Sequence, residues 1–378
     1  MNADARGDLI PVTLLTGYLG SGKTTVLNHL VRQPELADAL VIINEFGEMS
    51  LDHMLVAHST ENLVMEMSNG CVCCNIRGDL VRTLRDVTWR FARGGERMFR
   101  RVLIETTGLA DPAPIIHTLM THKQIAPKYR LDGIVTVVDL ATGMHTLDQH
   151  AEAIKQAAMA DAILLTKADL ITDEERTAVL ARLQHINPSA IRLDVRHGEV
   201  DAHRVLNLGL FNAHSKRADV ARWLKEEAYS EPAFRPAKPP AAGGMGGALF
   251  QPRGASRPPT HAPQDINRHD DHIHAFCFTI DAPITEETLS NWLDLLMSFL
   301  GSRILRVKGI LNVVGKAQPV VVHGVQHVFH PPVSLPAWPS DDRRSRLVFI
   351  TQDVRRETIE KTFNAFRPDD TPAQGAFE

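Results

Sequence analysis

Short apolar runs alternate with amphipathic stretches over the first 225 or so residues of the chain. The apolar runs have the length of buried strands, and they cover residues 10–15, 39–43, 101–104, 133–138 and 162–165. Between them, apolar side chains recur at helical spacing, as in residues 24–31, 79–91 and 173–184. Because parallel strands need crossover connections, this alternation predicts an α/β domain with a doubly wound, mostly parallel sheet.

The composition changes sharply over residues 226–271, which contain eight prolines and little apolar periodicity. Such a segment is typical of a flexible linker, so we expect a domain at 1–225, a linker at 226–271 and a second domain at 272–378. The pattern of the second domain is strand, helix, three strands, helix, over residues 274–280, 285–299, 303–314, 319–327, 346–351 and 355–366. It predicts a smaller α+β domain whose helices lie on one face of its sheet.

The composition also narrows the class of protein. With 378 residues, of which 44% are hydrophobic and 23% charged, the chain fits a soluble globular protein of two domains. Its net charge of -4 lacks the excess of basic residues that is typical of a protein that binds nucleic acid. The amino terminus lacks the apolar core of a secretory signal, and no apolar run is long enough to span a bilayer. We therefore expect a cytoplasmic protein with neither nucleic acid nor membrane as a partner.

A glycine-rich loop, Gly17-Tyr-Leu-Gly-Ser-Gly-Lys23-Thr24, follows the first apolar run and opens the first helix. This is the Walker A pattern in the strand–loop–helix context that it requires. Backbone N–H groups and the helix dipole would hold phosphate oxygens, Lys23 would reach the β- and γ-phosphates, and Thr24 would ligate Mg²⁺. The nucleotide-binding residues expected in this loop are Gly17, Gly20, Ser21, Gly22, Lys23, Thr24 and Thr25.

Glu105 ends the apolar run at 101–104, and Gly108 follows three residues later. An acid at this place can hold Mg²⁺ through water, and the glycine N–H can sense the γ-phosphate. Aspartate is the usual residue at the position of Glu105, so this glutamate departs from the Walker B pattern. Lys23, Thr24 and Glu105 are the predicted catalytic residues.

The segment Thr166-Lys167-Ala168-Asp169 follows the apolar run at 162–165 and resembles the Asn/Thr-Lys-x-Asp guanine signature of GTPases. The carboxylate of Asp169 would accept two hydrogen bonds from guanine N1–H and the exocyclic amine, which adenine cannot supply. The stem of Lys167 would lie over the base. Thr166, Lys167 and Asp169 therefore favour GTP over ATP.

Three of the four cysteines, Cys71, Cys73 and Cys74, fall within four residues of one another. Thiolates packed this closely can bind a soft or borderline divalent metal, and we expect two or three of them to ligate at a time. Cysteines without distant partners also point to a reducing compartment. Cys277 stands apart, in an alternating strand pattern that predicts a small core residue.

The order of the motifs carries a resemblance to a known family. From the phosphate loop, the chain runs through Asn-Glu-Phe-Gly-Glu at 44–48, Gly-Cys-Val-Cys-Cys at 70–74, Glu-Thr-Thr-Gly at 105–108 and Thr-Lys-Ala-Asp at 166–169. This order closely resembles the CobW-type GTPases, which include zinc metallochaperones and cobalt-handling proteins of cobalamin synthesis. Leu-Arg-Val-Lys-Gly-Ile-Leu at 305–311 and Val-Val-His-Gly-Val-Gln-His at 321–327 resemble the carboxyl-terminal domain of that family.

The resemblance implies a P-loop GTPase fold and a slow GTPase that binds GTP, Mg²⁺ and a second divalent metal, zinc or cobalt. It implies delivery of that second metal to a client metalloprotein, and it leaves a homodimer open. The implied metal ligands are Cys71, Cys73 and Cys74, with Glu45 able to contribute, while Thr24 belongs to Mg²⁺.

Two other functions stay open at the level of sequence. The thiols could sense metal in a regulator that never transfers its ion, and a small-molecule kinase could use the same phosphate loop. Histidines extend the candidate metal chemistry, because His117 and His122 follow the Glu-Thr-Thr-Gly motif, and His-x-x-His-x-His at 269–274 ends the linker. In the second domain, strand alternation predicts that His323 and His327 share one face, with His330 on the other, in a structural role.

Overall fold

The computed structural model of this chain describes residues 9–43, 63–66, 76–94, 96–208, 272–330 and 332–366. The amino-terminal elements are, in chain order, β1 (Ile10–Gly17), α1 (Lys23–Leu30), β2 (Ala39–Ile43), β3 (Leu63–Glu66), α2 (Ile76–Arg90), β4 (Ala92–Arg93), β5 (Glu96–Arg97), β6 (Arg101–Glu105), α3 (Ala113–Thr121), β7 (Tyr129–Asp139), α4 (Gly143–Gln149), α5 (Ala151–Met159), β8 (Ala162–Thr166), α6 (Asp173–Ile186) and β9 (Ile191–Asp194).

Within the described residues, seven of these strands form one sheet in the order β3-β2-β6-β1-β7-β8-β9, and every pair runs parallel. Buried apolar side chains from the strands join two separate clusters, one with α3 and α5, the other with α1. The sheet is therefore covered on both faces, as its continuous apolar runs require. The predicted P-loop-type α/β fold is confirmed. The sequence reading missed the four-residue outer strands β3 and β9, whose patterns are too short to stand out.

The carboxyl-terminal elements are β10 (Ile273–Ile280), α7 (Glu286–Leu300), β11 (Ile304–Leu311), β12 (Val320–Val325), β13 (Val328–Phe329), β14 (Val333–Ser334), β15 (Ser345–Gln352) and α8 (Arg356–Asn364). The strands form an antiparallel sheet in the order β10-β15-β11-β12-β13, with β14 beside β12. Both helices pack on one face around the fully buried Trp292, as predicted for an α+β domain. Cys277 is buried on the opposite face. The proposed domain boundaries at 225 and 271 lie outside the described residues and stay a prediction.

The predicted placement of His323 and His330 on opposite faces was wrong. Strand alternation over 319–327 assumed one continuous strand, but β12 ends at Val325 and a two-residue turn leads directly into β13. The turn reverses the chain, so His330 N donates to His323 O at 2.8 Å and the two rings stack with centroids 4.9 Å apart. His327 lies exposed in the turn. His323 and His330 are therefore neighbours across a hairpin, because alternation holds only within a single strand.

A buried ion cluster joins the two domains. Asp161 precedes β8, and its carboxylate accepts hydrogen bonds from Arg306 and from Lys308, the latter at 3.0 Å. Its second oxygen accepts from the backbone N–H of Ile134 at 3.0 Å. Burial alone would raise the pKa of Asp161, but the two cations of β11 outweigh it and hold this pKa well below its usual range. The domains therefore dock through a paired charge rather than through apolar contact alone.

His323 adds a pH dependence to this junction. It pairs with Lys308 across β11 and β12 and is 3% exposed. Burial lowers the pKa of His323 well below 6.5, and the positive charge of Arg306 and the neighbouring His330 lower it further, against the opposing effect of Asp161. His323 is therefore neutral in the folded protein.

We expect the protein to lose stability as the pH falls below about 6.5, because His323 then binds a proton in the unfolded chain but not in the folded one. Each such group contributes up to about 1.4 kcal/mol per pH unit to the free energy of unfolding. Urea unfolding at pH 7.5, 6.5 and 5.5 measures the slope, and His323→Gln should make it shallower. His327→Gln is the matched control, since its ring lies exposed in the same hairpin. An identical slope in His323→Gln and the wild type would contradict this assignment.

Candidate functional site

The phosphate loop, residues 17–24, turns sharply between β1 and α1. Gly20 and Gly22 both have left-handed backbones, with φ of 72° and 95°, which residues bearing a side chain rarely adopt. Gly22 directly precedes α1, so the backbone N–H groups of Lys23 and Thr24 stand at the helix amino terminus. Such groups have no partner inside the helix and, together with the helix dipole, favour a bound anion. The loop is thus shaped to hold phosphate.

The predicted Mg²⁺ residues meet across two strands. The Thr24 hydroxyl donates to the Glu105 carboxylate, with Oγ1 and Oε1 3.1 Å apart, and Glu105 is buried at the end of β6. A hydroxyl and a carboxylate are oxygen donors of the kind that a hard divalent cation prefers, so these two residues fit Mg²⁺. When bound, the ion would supply positive charge to the β- and γ-phosphates. The glutamate in place of aspartate therefore still reaches Thr24.

The turn after β6 packs against the phosphate loop. Thr106 Oγ1 donates to Thr16 Oγ1 at 2.8 Å, which joins the end of β6 to the end of β1. A methyl group added to Gly108 would lie 2.6 Å from the backbone nitrogen of Leu19, so a larger residue would collide with the loop. Gly108 thus lies beside the loop to which it was assigned. We call residues 105–110 the switch turn.

The guanine signature also contacts the phosphate loop. Thr166 Oγ1 donates to Ser21 O at 2.7 Å, and Lys167 Nζ donates to Gly20 O at 2.9 Å. Lys167 has a left-handed backbone, with φ of 57°, and its ammonium also binds Asp139 Oδ2 at 2.7 Å. Asp169 is exposed in the short 3₁₀ turn that follows β8. The structure brings the signature, the loop and the switch turn together at the carboxyl edge of the sheet, where parallel α/β folds bind ligands.

The side chain of Thr25 makes the least contact with the rest of the proposed nucleotide site. It lies in the first turn of α1 with an exposed side chain, and its carbonyl faces Gly198. Lys23 Nζ donates to Tyr18 O at 3.2 Å, folding back over its own loop.

Sequence reasoning missed two residues of this site, Asp139 and Gln156. Asp139 ends the apolar strand β7, as Glu105 ends β6, and that shared signal could have identified it. Gln156 lies on α5 and donates to Gly108 O and Ala110 O in the switch turn, at 3.2 and 3.0 Å. Nothing in its sequence neighbourhood indicates this contact.

The predicted metal ligands Cys71, Cys73, Cys74 and Glu45 lie outside the described residues. His117 and His122 lie in and directly after α3, and the His117 ring is 5.0 Å from that of His327. Among the described residues, no three histidine, cysteine or acidic side chains gather as a metal site. In the same ranges, no helix is long and apolar enough to cross a membrane.

Two family models match the chain. Residues 11–193 match the nucleotide-binding domain described as CobW/HypB/UreG, and residues 273–367 match the carboxyl-terminal domain of the cobalamin synthesis protein cobW. Together they span both of the domains described above.

Proteins similar to this chain include a zinc chaperone and a zinc-regulated GTPase. The zinc chaperone YjiA of Escherichia coli is 30% identical over 95% of this chain and 99% of its own length. The zinc-regulated GTPase metalloprotein activator 1 of Dictyostelium discoideum is 27% identical over 93% of this chain and 78% of its own. The crystal structure of Zn(II)-bound YjiA GTPase from E. coli matches with a TM-score of 0.62 at 26% identity, covering 97% of this chain and all of that one.

Proposed function

This chain belongs to the CobW family of P-loop GTPases, and on that premise we propose that it is a zinc metallochaperone driven by GTP. It binds zinc through Cys71, Cys73 and Cys74, with Glu45 as a further ligand, and passes the ion to a client metalloprotein. Zinc is preferred to cobalt because the zinc chaperone YjiA is similar over nearly the whole chain. Thiolate and carboxylate ligands suit this ion.

The register of three strand ends carries the proposal. Ile43 at the end of β2 pairs with Glu105 of β6 on one side and with Glu66 of β3 on the other. Glu45 is two residues beyond β2, and Cys71 is five residues beyond β3. Since neighbouring strands lie about 4.8 Å apart, both segments leave the sheet within roughly 10 Å of the Mg²⁺ residue Glu105. The two strands that lead to the proposed zinc ligands therefore end near the Mg²⁺ residue, which supports control of zinc binding by the nucleotide.

The chemistry of the cycle follows from this placement. GTP and Mg²⁺ would bring Glu45 towards the cysteines and so raise the affinity for zinc. Hydrolysis removes the γ-phosphate that holds this arrangement, so zinc affinity falls and the ion can pass to the client. The sequence motifs assign no arginine finger, so we expect slow intrinsic turnover that a client accelerates.

We expect the affinity for zinc to be about 5- to 150-fold higher with a non-hydrolysable GTP analogue and Mg²⁺ than with GDP, the usual size of such linkage. Competition with a chromophoric zinc chelator under each nucleotide measures it. Cys73→Ser/Cys74→Ser should lose the tight site while still binding GTP, because no thiol is assigned to phosphate. Cys277→Ser is the matched control, as that cysteine is buried in the other domain.

Equal zinc affinity with GTP analogue, GDP and no nucleotide would contradict the delivery cycle. Transfer to an apo-client separates delivery from the alternative of a zinc sensor. A metallochaperone releases zinc to the client on hydrolysis, whereas a sensor keeps its ion and changes only its GTPase rate.

A further inference from the structure

Gln156 is a fully buried amide that binds the backbone of the switch turn. It is 0% exposed on α5, and its Nε2 donates to Gly108 O at 3.2 Å and to Ala110 O at 3.0 Å. These two carbonyls flank Leu109, whose side chain is 56% exposed. The buried side chain of Gln156 thus holds the backbone on both sides of the exposed Leu109.

Hydrogen bonds to its backbone hold α5, the helix that carries Gln156, in place. Thr136 Oγ1 on β7 donates to the backbone carbonyl of Gln156 at 2.7 Å. At the end of α5, the fully buried Asn187 donates to the carbonyls of Ala157, Ala158 and Ala160 at 2.9 to 3.0 Å. The helix that carries Gln156 is therefore held to β7 at its middle and to the carboxyl-terminal cap of α6 at its end.

The switch turn, by contrast, contains Gly108, which has no side chain to restrict the conformation of its own backbone. Gly108 has no side chain, because one would collide with Leu19 of the phosphate loop. A glycine keeps more backbone freedom than any other residue, so each hydrogen bond to the turn restricts its orientation further. The amide of Gln156 supplies two of them. Lys155, the neighbouring residue on α5, also binds Asp111 just after the turn, at 3.2 Å.

We propose that Gln156 is a positioning residue for GTP hydrolysis, which holds the switch turn in the conformation where Gly108 N–H meets the γ-phosphate. The inference rests on the proposed phosphate site, since it assigns to Gln156 the orientation of a turn that senses the terminal phosphate. Gln156 does not touch the nucleotide. It acts through the backbone of Gly108, so its effect is confined to the nucleotide that carries a γ-phosphate.

The test compares Gln156→Met with Thr136→Val in the full-length protein. Methionine keeps the length and volume of glutamine but donates no hydrogen bond. Thr136→Val removes a hydrogen bond to the same residue through its backbone carbonyl, leaving the side-chain amide in place. Single-turnover hydrolysis of GTP is measured for each variant, with the affinities for GDP and for a non-hydrolysable GTP analogue.

We expect Gln156→Met to lower the hydrolysis rate by about 10- to 100-fold, the size of effect that a displacement of order 1 Å produces. The GTP analogue should bind more weakly, while GDP affinity stays within about twofold of wild type, since GDP lacks the group that the turn senses. Thr136→Val should slow hydrolysis less than Gln156→Met does, because it loosens the helix but leaves both hydrogen bonds from the amide to the switch turn. Hydrolysis by Gln156→Met at the wild-type rate would overturn the proposal, as would an equal loss of affinity for both nucleotides. Zinc transfer is not part of this test, so the delivery cycle can fail while the role of Gln156 stands.

Discussion

Lys23→Ala is expected to lower the rate of GTP hydrolysis by at least about 100-fold, the usual cost of removing a group that stabilises developing negative charge. Lys23 is the cation of the phosphate loop, and its ammonium donates to Tyr18 O at 3.2 Å, a partner that it can exchange for a phosphate oxygen. Its side chain is only partly buried at the start of α1, so the fold should survive the substitution.

The measurement is multiple-turnover release of phosphate from purified protein, with circular dichroism to confirm folding. Lys123→Ala is a matched control, because that lysine is exposed after α3, away from the phosphate loop. Turnover by Lys23→Ala equal to that of Lys123→Ala would sink the assignment of residues 17–24 to phosphate.

Arg306→Met is expected to reduce the free energy of unfolding by about 3–5 kcal/mol, the usual result of breaking a buried ion pair. Asp161, 5% exposed, would be left with Lys308 as the remaining cation bonded to its carboxylate in the domain junction. Methionine fills much of the volume of arginine, so the loss reflects the carboxylate rather than a cavity.

A second substitution tests that cause. Asp161→Asn/Arg306→Met keeps an oxygen for the Ile134 N–H but also removes the counterion of the buried Lys308, so it should lose more stability than Arg306→Met alone. Arg356→Met is the matched control, because its pair with Glu360 is exposed on α8 and should contribute no more than about 0.5 kcal/mol. Urea unfolding at pH 7.5 gives all three values. A loss in Arg306→Met no larger than that in Arg356→Met would show that the junction does not depend on this pair.

Residues 156–161 contact two different parts of the protein through their first and last side chains. Gln156 binds the switch turn, and Asp161, five residues later, binds the carboxyl-terminal domain. Neither contact was accessible to sequence reasoning. An amide on a helix and an acid before a strand are ordinary surface residues until the partner across the fold is known.

Much of the fold followed from local patterns. The apolar runs at 10–15, 39–43 and 162–165 are β1, β2 and β8 within one or two residues. Continuous apolar strands between amphipathic helices can be satisfied only by a parallel sheet covered on both faces, so the class of fold was determined before any contact was known. The hairpin turn at residues 326–327, by contrast, could not be predicted from the local pattern. No glycine–asparagine pair marks that turn, and Gln326 adopts a φ of 50° without one.

The sequence by itself determined the phosphate loop, the Glu105 and Gly108 pair and the guanine signature, because their chemistry depends on backbone turns and side chains within a few residues of one another. Tertiary structure alone decided that Asp139 holds Lys167, that Gln156 holds the switch turn and that His323 stacks on His330. These pairs bring together residues from different strands and helices. Their hydrogen bonds and ring contacts depend on strand order, register and helix packing, which no local pattern of polar and apolar residues specifies.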